Sequence, residues 1–350
     1  MAQDKWPTMK DVARHAGVSV STVSYVLNDS GPVAADRRAR VMDAVAVLNY
    51  TPNEAARGLK RRSSPTIGLV VPELSNPYFA MIAEGVERVA SANDALVVFC
   101  APEASGEADS FTGRLLRGQR LNGIVYLSGA STVPRSLLSL TRLGPVVLVD
   151  EQLPGFDLPA VVSDNRRGAR EIAKHVIDSG HTRIAVIGGP ALLWTSQQRL
   201  AGYREAFAAA GMDPDAVVVV EGNYRQRSGF ELAQRLLDAP KETRPTALLC
   251  ANDLMAIGAT EYARSVAISV PVTLSITGFD DVPFATALTP KLTTVRQPAH
   301  DMGSAAATLL FQLLESKNRT GATEDVALPN PESPLAVEVC IRESVASPPR

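Results

Sequence analysis

The chain has 350 residues, of which 45% are apolar and 21% are charged, a composition typical of a globular protein large enough for two or three domains. This composition excludes a chain that is mainly disordered or built from fibrous repeats. The formal net charge is only −2, but residues 1–64 carry a net charge of +4 and the remainder carries −6. A small basic N-terminal segment therefore precedes a larger acidic body.

The sequence carries no recognisable targeting or membrane-spanning segment. Its first residues lack an apolar core followed by a small-residue cleavage site, and no apolar stretch approaches the roughly 20 residues that span a bilayer. We therefore expect a cytoplasmic protein without a membrane partner. Cys100, Cys250 and Cys340 each lie in an apolar strand-like run, so we expect buried free thiols that neither bind metal nor form disulfides.

Three helices are predicted within the first fifty residues. The first begins after Thr8, which is placed to form a capping box with Asp11, and it ends at Gly17. The second begins after Ser19 as N-cap, and the third spans about residues 36–48. Two short helices joined by a glycine turn form a helix-turn-helix, which occurs in DNA-binding proteins and also in enzymes and helical bundles.

The outer face of the second helix carries no charge, and its side chains are suited to contacts with base edges in a major groove. The DNA contacts expected from this segment are Thr8, Ser19, Val20, Ser21, Thr22, Ser24, Tyr25 and Asn28.

A basic segment follows, in which Asn53 is placed to cap a helix of about two turns. So short a helix is marginal in water, and Gly58 costs it about 1 kcal/mol more. We therefore predict that the segment orders only when it is bound. A flexible basic linker is the alternative.

From Thr66 onwards, apolar runs alternate with amphipathic stretches, the pattern of parallel sheets covered by helices on both faces. The predicted strands are residues 67–71, 96–100, 124–127, 146–149, 184–187, 217–220, 247–251 and 274–276, with a short one at 160–162. A body of about 280 residues with this pattern indicates two similar lobes.

Polar and aromatic residues follow most of these strands, at the edge where ligands bind in such sheets. Carboxylates, amides and an arginine interleaved with aromatic rings suit a polyhydroxylated ligand or a nucleobase-like ring. Asp164 and Asp253 each directly precede a helical pattern, so for these two we favour helix capping over ligand binding.

Motifs along nearly the whole chain resemble the LacI/GalR (lactose-repressor) family of transcriptional regulators. In the N-terminal segment they are MKDVARHAGVS (9–19), TVS (22–24), VLN (26–28), LNY (48–50) and PN (52–53). In the body they include NPYF (76–79), DN (164–165), RLAGY (199–203), AND (251–253), GFDD (278–281) and RES (342–344).

The resemblance implies an all-α helix-turn-helix DNA-binding domain with a hinge helix, followed by an α/β body of two parallel-sheet lobes that is similar to type I periplasmic binding proteins. The implied boundaries are 1–52 for the DNA-binding domain, 53–65 for the hinge, 66–346 for the effector-binding and dimerisation domain, and 347–350 for a disordered tail. The implied crossovers between the lobes lie near 161–165, 293–297 and 324–328.

The resemblance also implies site residues. In this family the hinge helix pairs with that of its dimer mate in the minor groove, and a leucine that matches Leu59 wedges into the central base step. The implied hinge contacts are Asn53, Ala56, Arg57, Leu59 and Lys60. The implied effector contacts are Tyr78, Phe79, Asp150, Thr195, Arg199, Tyr224, Asn252 and Asp280.

Three departures from the family pattern bear on specificity. Ala34 stands where a serine often caps the third helix, which removes about 1 kcal/mol of capping. The second helix lacks the arginine that would read guanine, which leaves thymine-methyl and tyrosine-hydroxyl contacts. Leu193 stands where purine-binding relatives have arginine, which favours a sugar over a purine.

The expected function is that of a homodimeric repressor without a cofactor, whose affinity for a pseudo-palindromic operator is switched by a small molecule, in our interpretation a sugar. The alternatives are control by a protein partner or by a non-sugar metabolite. An enzyme is disfavoured because the sequence lacks a nucleophile elbow, a phosphate-binding loop and a zinc-binding HExxH motif. The basic N-terminal segment disfavours an exported sugar carrier.

Overall fold

The computed structural model describes residues 7–28, 31–50, 64–100, 118, 121–129, 137, 140–142, 144–153, 156, 158–320 and 334–349. The chain divides into two compact units, Met1–Ser64 and Pro65–Arg350. The predicted hinge contacts Asn53, Ala56, Arg57, Leu59 and Lys60 lie outside the described residues, so the hinge helix stays a prediction.

The N-terminal unit contains the three predicted helices, α1 (Met9–Ala16), α2 (Val20–Asn28) and α3 (Ala35–Val47). Helix α1 ends at Gly17, whose φ of +64° lies in the left-handed region that glycine adopts without steric cost. Only one residue separates Gly17 from the cap of α2, so the two helices form the predicted helix-turn-helix. Their apolar faces meet α3 in one small core: Val12, Ala13, Ala16, Val23, Val26, Val41, Ala44 and Tyr50.

The caps of the first two helices match the sequence signals. The Thr8 backbone N–H and hydroxyl both donate to Asp11 Oδ2, at 2.9 and 2.5 Å. Ser19 Oγ accepts a hydrogen bond from the backbone N–H of Thr22 at 3.1 Å. Helix α3 has Ala34 as its N-cap and no side-chain capping bond, as the sequence implies.

The first lobe of the body is built on a five-stranded sheet. Its strands are β1 (Thr66–Val70), β2 (Leu96–Cys100), β3 (Gly123–Leu127), β4 (Val146–Val149) and β5 (Ala160–Val161). All neighbouring pairs are parallel, in the order β2-β1-β3-β4-β5. Helices α4 (Pro77–Ala92) and α10 (Ala299–Thr320) pack together on one face of this sheet.

The second lobe repeats the design with a four-stranded parallel sheet of order β7-β6-β8-β9. Its strands are β6 (Ile184–Gly188), β7 (Val218–Glu221), β8 (Ala247–Cys250) and β9 (Ser275–Thr277). Helices α5 (Asn165–Asp178) and α6 (Trp194–Ala209) cover one face, and α7 (Gln226–Leu237) and α8 (Asp253–Ser265) cover the other. The predicted pair of parallel-sheet lobes is thus confirmed.

The chain passes between the lobes after β5 and again around β10 (Thr294–Arg296), which follows the short helix α9 (Phe284–Ala287). Strand β10 pairs antiparallel with β11 (Glu338–Cys340). Leu335 also forms a parallel bridge with Ser163, so the C-terminal segment returns beside the first passage. Residues 324–328 lie outside the described part of the chain, whereas residues 347–349 are described, with Pro348 beside Gly180.

One capping prediction is confirmed and one is wrong. Asp164 caps α5 by accepting a hydrogen bond from the backbone N–H of Arg167 at 3.1 Å. The N-cap of α8 is Asn252, because its backbone is extended and its side chain accepts from the N–H of Met255. Asp253 is the first helical residue, and its carboxylate instead accepts from the N–H of Val282.

Two further expectations concern the cysteines and the membrane. Cys100, Cys250 and Cys340 are all buried, and none of the three is in a disulfide bond within the described part of the chain. Within the described ranges, no helix combines the length and apolarity needed to cross a bilayer.

Candidate functional site

A cavity of about 190 Å³ opens between the carboxyl ends of the two parallel sheets. Loops and the first turns of helices that follow β1, β3 and β4 line it from the first lobe, and those that follow β6, β7, β8 and β9 line it from the second lobe. The structure brings all eight of the sequence-predicted effector residues to its wall: Tyr78, Phe79, Asp150, Thr195, Arg199, Tyr224, Asn252 and Asp280. Their convergence follows from parallel topology, because the carboxyl ends of parallel strands share one edge.

The first lobe contributes a carboxylate held by a phenol. The buried hydroxyl of Tyr78 donates to Asp150 Oδ1 at 2.7 Å. Burial raises the pKa of Asp150, although the charge of Arg199 and the Tyr78 hydrogen bond both oppose the rise. The ring of Phe79 lies 5.8 Å from that of Tyr78 and adds an apolar surface to the same wall.

Arg199 is the central cation of the cavity and is 3% exposed. Its Nε donates to Asn165 Oδ1 at 2.7 Å and its Nη1 donates to the Ala251 carbonyl at 2.5 Å, which fix the guanidinium plane. The guanidinium carbon lies 3.9 Å from the ring centroid of Phe279, a cation–π contact. The arginine is therefore held rigidly in place before any ligand arrives.

Asp280 faces Arg199 at the end of β9, with Oδ1 3.6 Å from Arg199 Nη1. Its Oδ1 also accepts a hydrogen bond from Gln297 Nε2 at 2.8 Å. Burial raises the pKa of Asp280 to about 7, since the desolvation cost exceeds the opposing attraction of Arg199. Asp280 is thus a carboxyl group that changes charge near neutral pH.

Tyr224 packs against the first turn of α6. Its hydroxyl lies 2.6 Å from Ser196 Oγ and 3.4 Å from Thr195 Oγ1. A Cβ atom on Gly189 would stand only 2.2 Å from the Tyr224 ring, so only a residue without a side chain allows this approach. Tyr224 itself has a φ of +66°, which aims its ring into the cavity wall.

Asn252 has little hydrogen-bonding capacity left for a ligand. Its Oδ1 caps α8 through the Met255 N–H, and its Nδ2 donates to the Tyr224 carbonyl at 2.9 Å. Asn252 therefore braces the Tyr224 loop, and its direct contact with an effector stays a prediction.

Glu151 is a site residue that the sequence reasoning missed. It is 3% exposed, lines the cavity, and accepts hydrogen bonds from the hydroxyl and, at 3.3 Å, from the backbone N–H of Thr195. Burial, reinforced by the charge of Asp150, raises the pKa of Glu151 to about 8. The available signal was its place directly after Asp150 at the end of a buried strand.

The N-terminal unit presents the second candidate surface on α2. Val20 and Tyr25 are 41% and 48% exposed, although both are apolar or aromatic, while Val23, which packs into the core of the N-terminal unit, is fully buried. Ser19 bonds to the hydroxyls of Ser21 and Thr22, both at 2.8 Å, so these predicted DNA contacts also build the cap of α2. An exposed apolar surface beside hydroxyl groups is suited to base edges in a major groove.

Two family models match the chain. The model described as bacterial regulatory proteins, lacI family, matches residues 8–53, and the periplasmic binding protein-like domain matches residues 173–345. The first match covers α1 to α3, and the second covers most of the second lobe together with α10.

Relatives and solved structures match over nearly the full length. The HTH-type transcriptional repressor PurR of Aliivibrio fischeri (strain MJ11) is 32% identical over 89% of this chain and 93% of its own. The structure of the transcriptional regulator CelR–cellobiose complex has 32% identity and a TM-score of 0.70, covering 97% of this chain and 99% of that one. The lac repressor dimer bound to operator and the anti-inducer ONPF has 26% identity and a TM-score of 0.77, covering 98% and 100%. This chain therefore belongs to the LacI family of ligand-regulated, DNA-binding transcriptional repressors.

Proposed function

We propose that the chain acts as a homodimeric repressor whose operator affinity is switched by a neutral sugar bound between the two lobes. The observation that carries the proposal is the buried set of Asp150, Arg199 and Asp280 beside the rings of Phe79 and Tyr224. Carboxylates accept hydrogen bonds from sugar hydroxyls and a guanidinium donates to them, while aromatic rings stack on the apolar faces of a sugar ring.

The size and surroundings of the cavity favour a small ligand. Its volume of about 190 Å³ is below the usual 300–1,000 Å³ of sites for drug-sized molecules. Leu193, where the family resemblance places an arginine in purine-binding members, is buried at the cavity wall. The similarity to a regulator whose structure was solved with cellobiose supports a saccharide as the ligand. Control by a non-sugar metabolite or by a protein partner remains the alternative.

The proposal assigns DNA binding to the exposed face of α2 and to the hinge segment. In a dimer, two α2 helices enter successive major grooves, so the operator is a pseudo-palindrome. The likeness to the lac repressor dimer bound to operator supports this arrangement. Because the hinge helix is marginal by itself, a coupling free energy of about 1–3 kcal/mol is enough to change operator affinity severalfold or more.

The test combines calorimetry with DNA binding. The wild-type protein is titrated with cellobiose and a set of neutral mono- and disaccharides, and its operator is identified by pull-down of genomic DNA. We expect Arg199→Ala to lose at least a hundredfold in saccharide affinity, close to 2.7 kcal/mol, because it leaves Asp280 without its cation. Operator binding is expected to persist.

The matched control is Arg204→Ala, which removes an arginine from the exposed side of the same helix. This variant is expected to keep both saccharide and operator affinity. A wild-type protein that binds no saccharide would overturn the proposed ligand class, and a normal saccharide affinity in Arg199→Ala would remove Arg199 from the site.

A further inference from the structure

Helix α6 of the second lobe begins without a cap of its own. Its N-cap residue is Leu193, which has no polar side chain, although the first N–H groups of a helix need hydrogen-bond acceptors. The acceptor comes from the other lobe, where Glu151 is the second residue after the end of β4. Both carboxylate oxygens are used, one by the Thr195 N–H at 3.3 Å and one by the Thr195 hydroxyl.

An apolar contact crosses the cleft beside this carboxylate. Trp194, the first residue of α6, packs against the apolar cluster of the first lobe that includes Leu148 and Leu153. Trp194 and Thr195 therefore attach the N-terminal turn of α6 to the first lobe through one apolar and one polar contact. The Glu151 carboxylate also faces the positive end of the α6 dipole, which favours its charged form.

We call these contacts of Glu151 and Trp194 between the lobes the joint. The joint connects directly to the ligand site. Thr195 and Arg199 are four residues apart on α6, so their side chains lie on the same helix face. Tyr224 links them, because its hydroxyl contacts Thr195 Oγ1 and the Arg199 guanidinium carbon lies 5.8 Å from its ring centroid. A displacement of the first turn of α6 thus moves the cation that the ligand meets.

We propose that Glu151 is a positioning residue that joins the two lobes, holding the first turn of α6, and with it Arg199, at the ligand site. The inference rests on the proposed function only for the identity of the ligand. The groups that face Glu151 are Asp150 beside it on the first lobe, and Arg199 and Tyr224 on the second. Burial raises the pKa of Glu151 to about 8, so the joint changes charge close to neutral pH.

Protonation weakens this joint. The ionised carboxylate accepts hydrogen bonds at both oxygens, whereas the protonated acid keeps one carbonyl acceptor and loses the charge that faces the helix. Trp194 reports the change by fluorescence, because Trp6 and Trp194 are the two tryptophans of the chain. A Trp6→Phe background leaves Trp194 as the emitting group, and Trp6 lies outside the described residues.

The experiment follows Trp194 emission of the ligand-free, full-length Trp6→Phe protein from about pH 6 to pH 9.5, a range centred near the pKa of Glu151. We expect the emission maximum to shift to shorter wavelength as the pH rises through about 8, and Glu151→Gln in this background to abolish that transition. The control Glu205→Gln, which removes a carboxylate of α6 that pairs with Arg166, is expected to retain it. A transition that persists in Glu151→Gln, or its absence in the parent protein, would overturn the inference.

A second variant tests the inference even if Glu151→Gln does not fold. The Thr195 hydrogen bond lowers the pKa of Glu151, so Thr195→Val is expected to move the transition to higher pH without abolishing it. An unchanged midpoint of the pH transition in Thr195→Val would contradict the proposed hydrogen bonds between Glu151 and Thr195. Because these measurements need no ligand, a transition in a protein that binds no saccharide would refute the proposed sugar while leaving this inference standing.

Discussion

Asp150, Glu151 and Asp280 place three carboxyl groups around one guanidinium in a buried cleft. A single cation does not compensate the desolvation of three carboxylates, so burial raises the pKa of each of them. A ligand with several hydroxyl donors supplies the missing hydrogen bonds without bringing charge. The same excess of carboxylates disfavours anionic ligands, since like charges repel strongly in a low dielectric.

The raised pKa of Asp280 makes stability depend on pH. Between about pH 4 and pH 7 the folded protein holds a proton on Asp280 that the unfolded chain has already lost, so the free energy of unfolding falls as the pH rises through this window. We expect this fall to be shallower in Asp280→Asn. Chemical denaturation of the ligand-free protein at several pH values measures it.

The control for this prediction is Asp215→Asn, which changes a carboxyl group whose side chain is 87% exposed. It is expected to leave the pH dependence of the unfolding free energy as in the wild type. A slope in Asp280→Asn as steep as that of the wild-type protein would contradict the assigned role of Asp280.

The residues of the cleft were predictable as a group and less so one by one. Tyr78, Arg199 and Asp280 follow buried strands, and parallel topology brings such residues together. Glu151 was missed because its partner Thr195 belongs to the other lobe, and no local pattern reveals a contact between lobes. The prediction that Asp253 caps α8 was wrong by one residue: the helix begins at Asp253, so the preceding Asn252 is its N-cap.

At the scale of elements, α2 has two faces with different tasks. Val23 is fully buried in the core of the N-terminal unit, whereas Val20, three residues earlier, is 41% exposed on the proposed DNA-reading face. The two valines differ in environment and not in chemistry. Truncating each one therefore separates a loss of folding from a loss of recognition.

We expect Val23→Ala to destabilise the N-terminal unit by about 1–3 kcal/mol, because it removes buried methyl groups from a small core. Val20→Ala is expected to leave stability within about 0.5 kcal/mol but to change the preference among operator sequences, since a thymine-methyl contact is lost. Thermal unfolding and DNA binding to a set of operator variants measure the two effects. Equal destabilisation by both substitutions would contradict the assignment of the faces.

The strands were the most predictable elements, because continuous apolar runs between helical patterns identify parallel strands. The observed β2 and β4 coincide with the predicted runs, and the other seven strands of the two parallel sheets differ from them by a residue or so at their ends, whereas the short antiparallel strands β10 and β11 were not predicted. Burial of the edge strands was not predictable: Phe99 on β2 and Val218 on β7 are 54% exposed. Strand order, and hence which strands lie at the edges, is not encoded in the local pattern.

At the scale of the whole molecule, the body consists of two lobes that enclose the candidate ligand between them. A polar contact joins the two lobes at the mouth of the cleft, where Arg225 Nε donates to Glu73 Oε2 at 3.1 Å. A ligand that contacts both lobes changes the balance of such contacts, and thereby the preferred lobe arrangement. The proposed route to DNA is the hinge segment, of which residues 53–63 lie outside the described part of the chain.

Thermodynamic linkage makes this coupling measurable from both ends. If the sugar changes operator affinity by some factor, the operator must change sugar affinity by the same factor, and we expect about 5- to 150-fold in the wild-type protein. Leu59→Ala is expected to weaken operator binding at least tenfold, about 1.4 kcal/mol, and to bring the coupling factor close to one, because the proposed wedge no longer orders the hinge. Its sugar affinity without DNA is expected to match that of the wild type. Operator titrations with and without sugar measure the change in operator affinity, and sugar calorimetry with and without operator measures the change in sugar affinity. An undiminished coupling in Leu59→Ala would show that the signal does not pass through this residue.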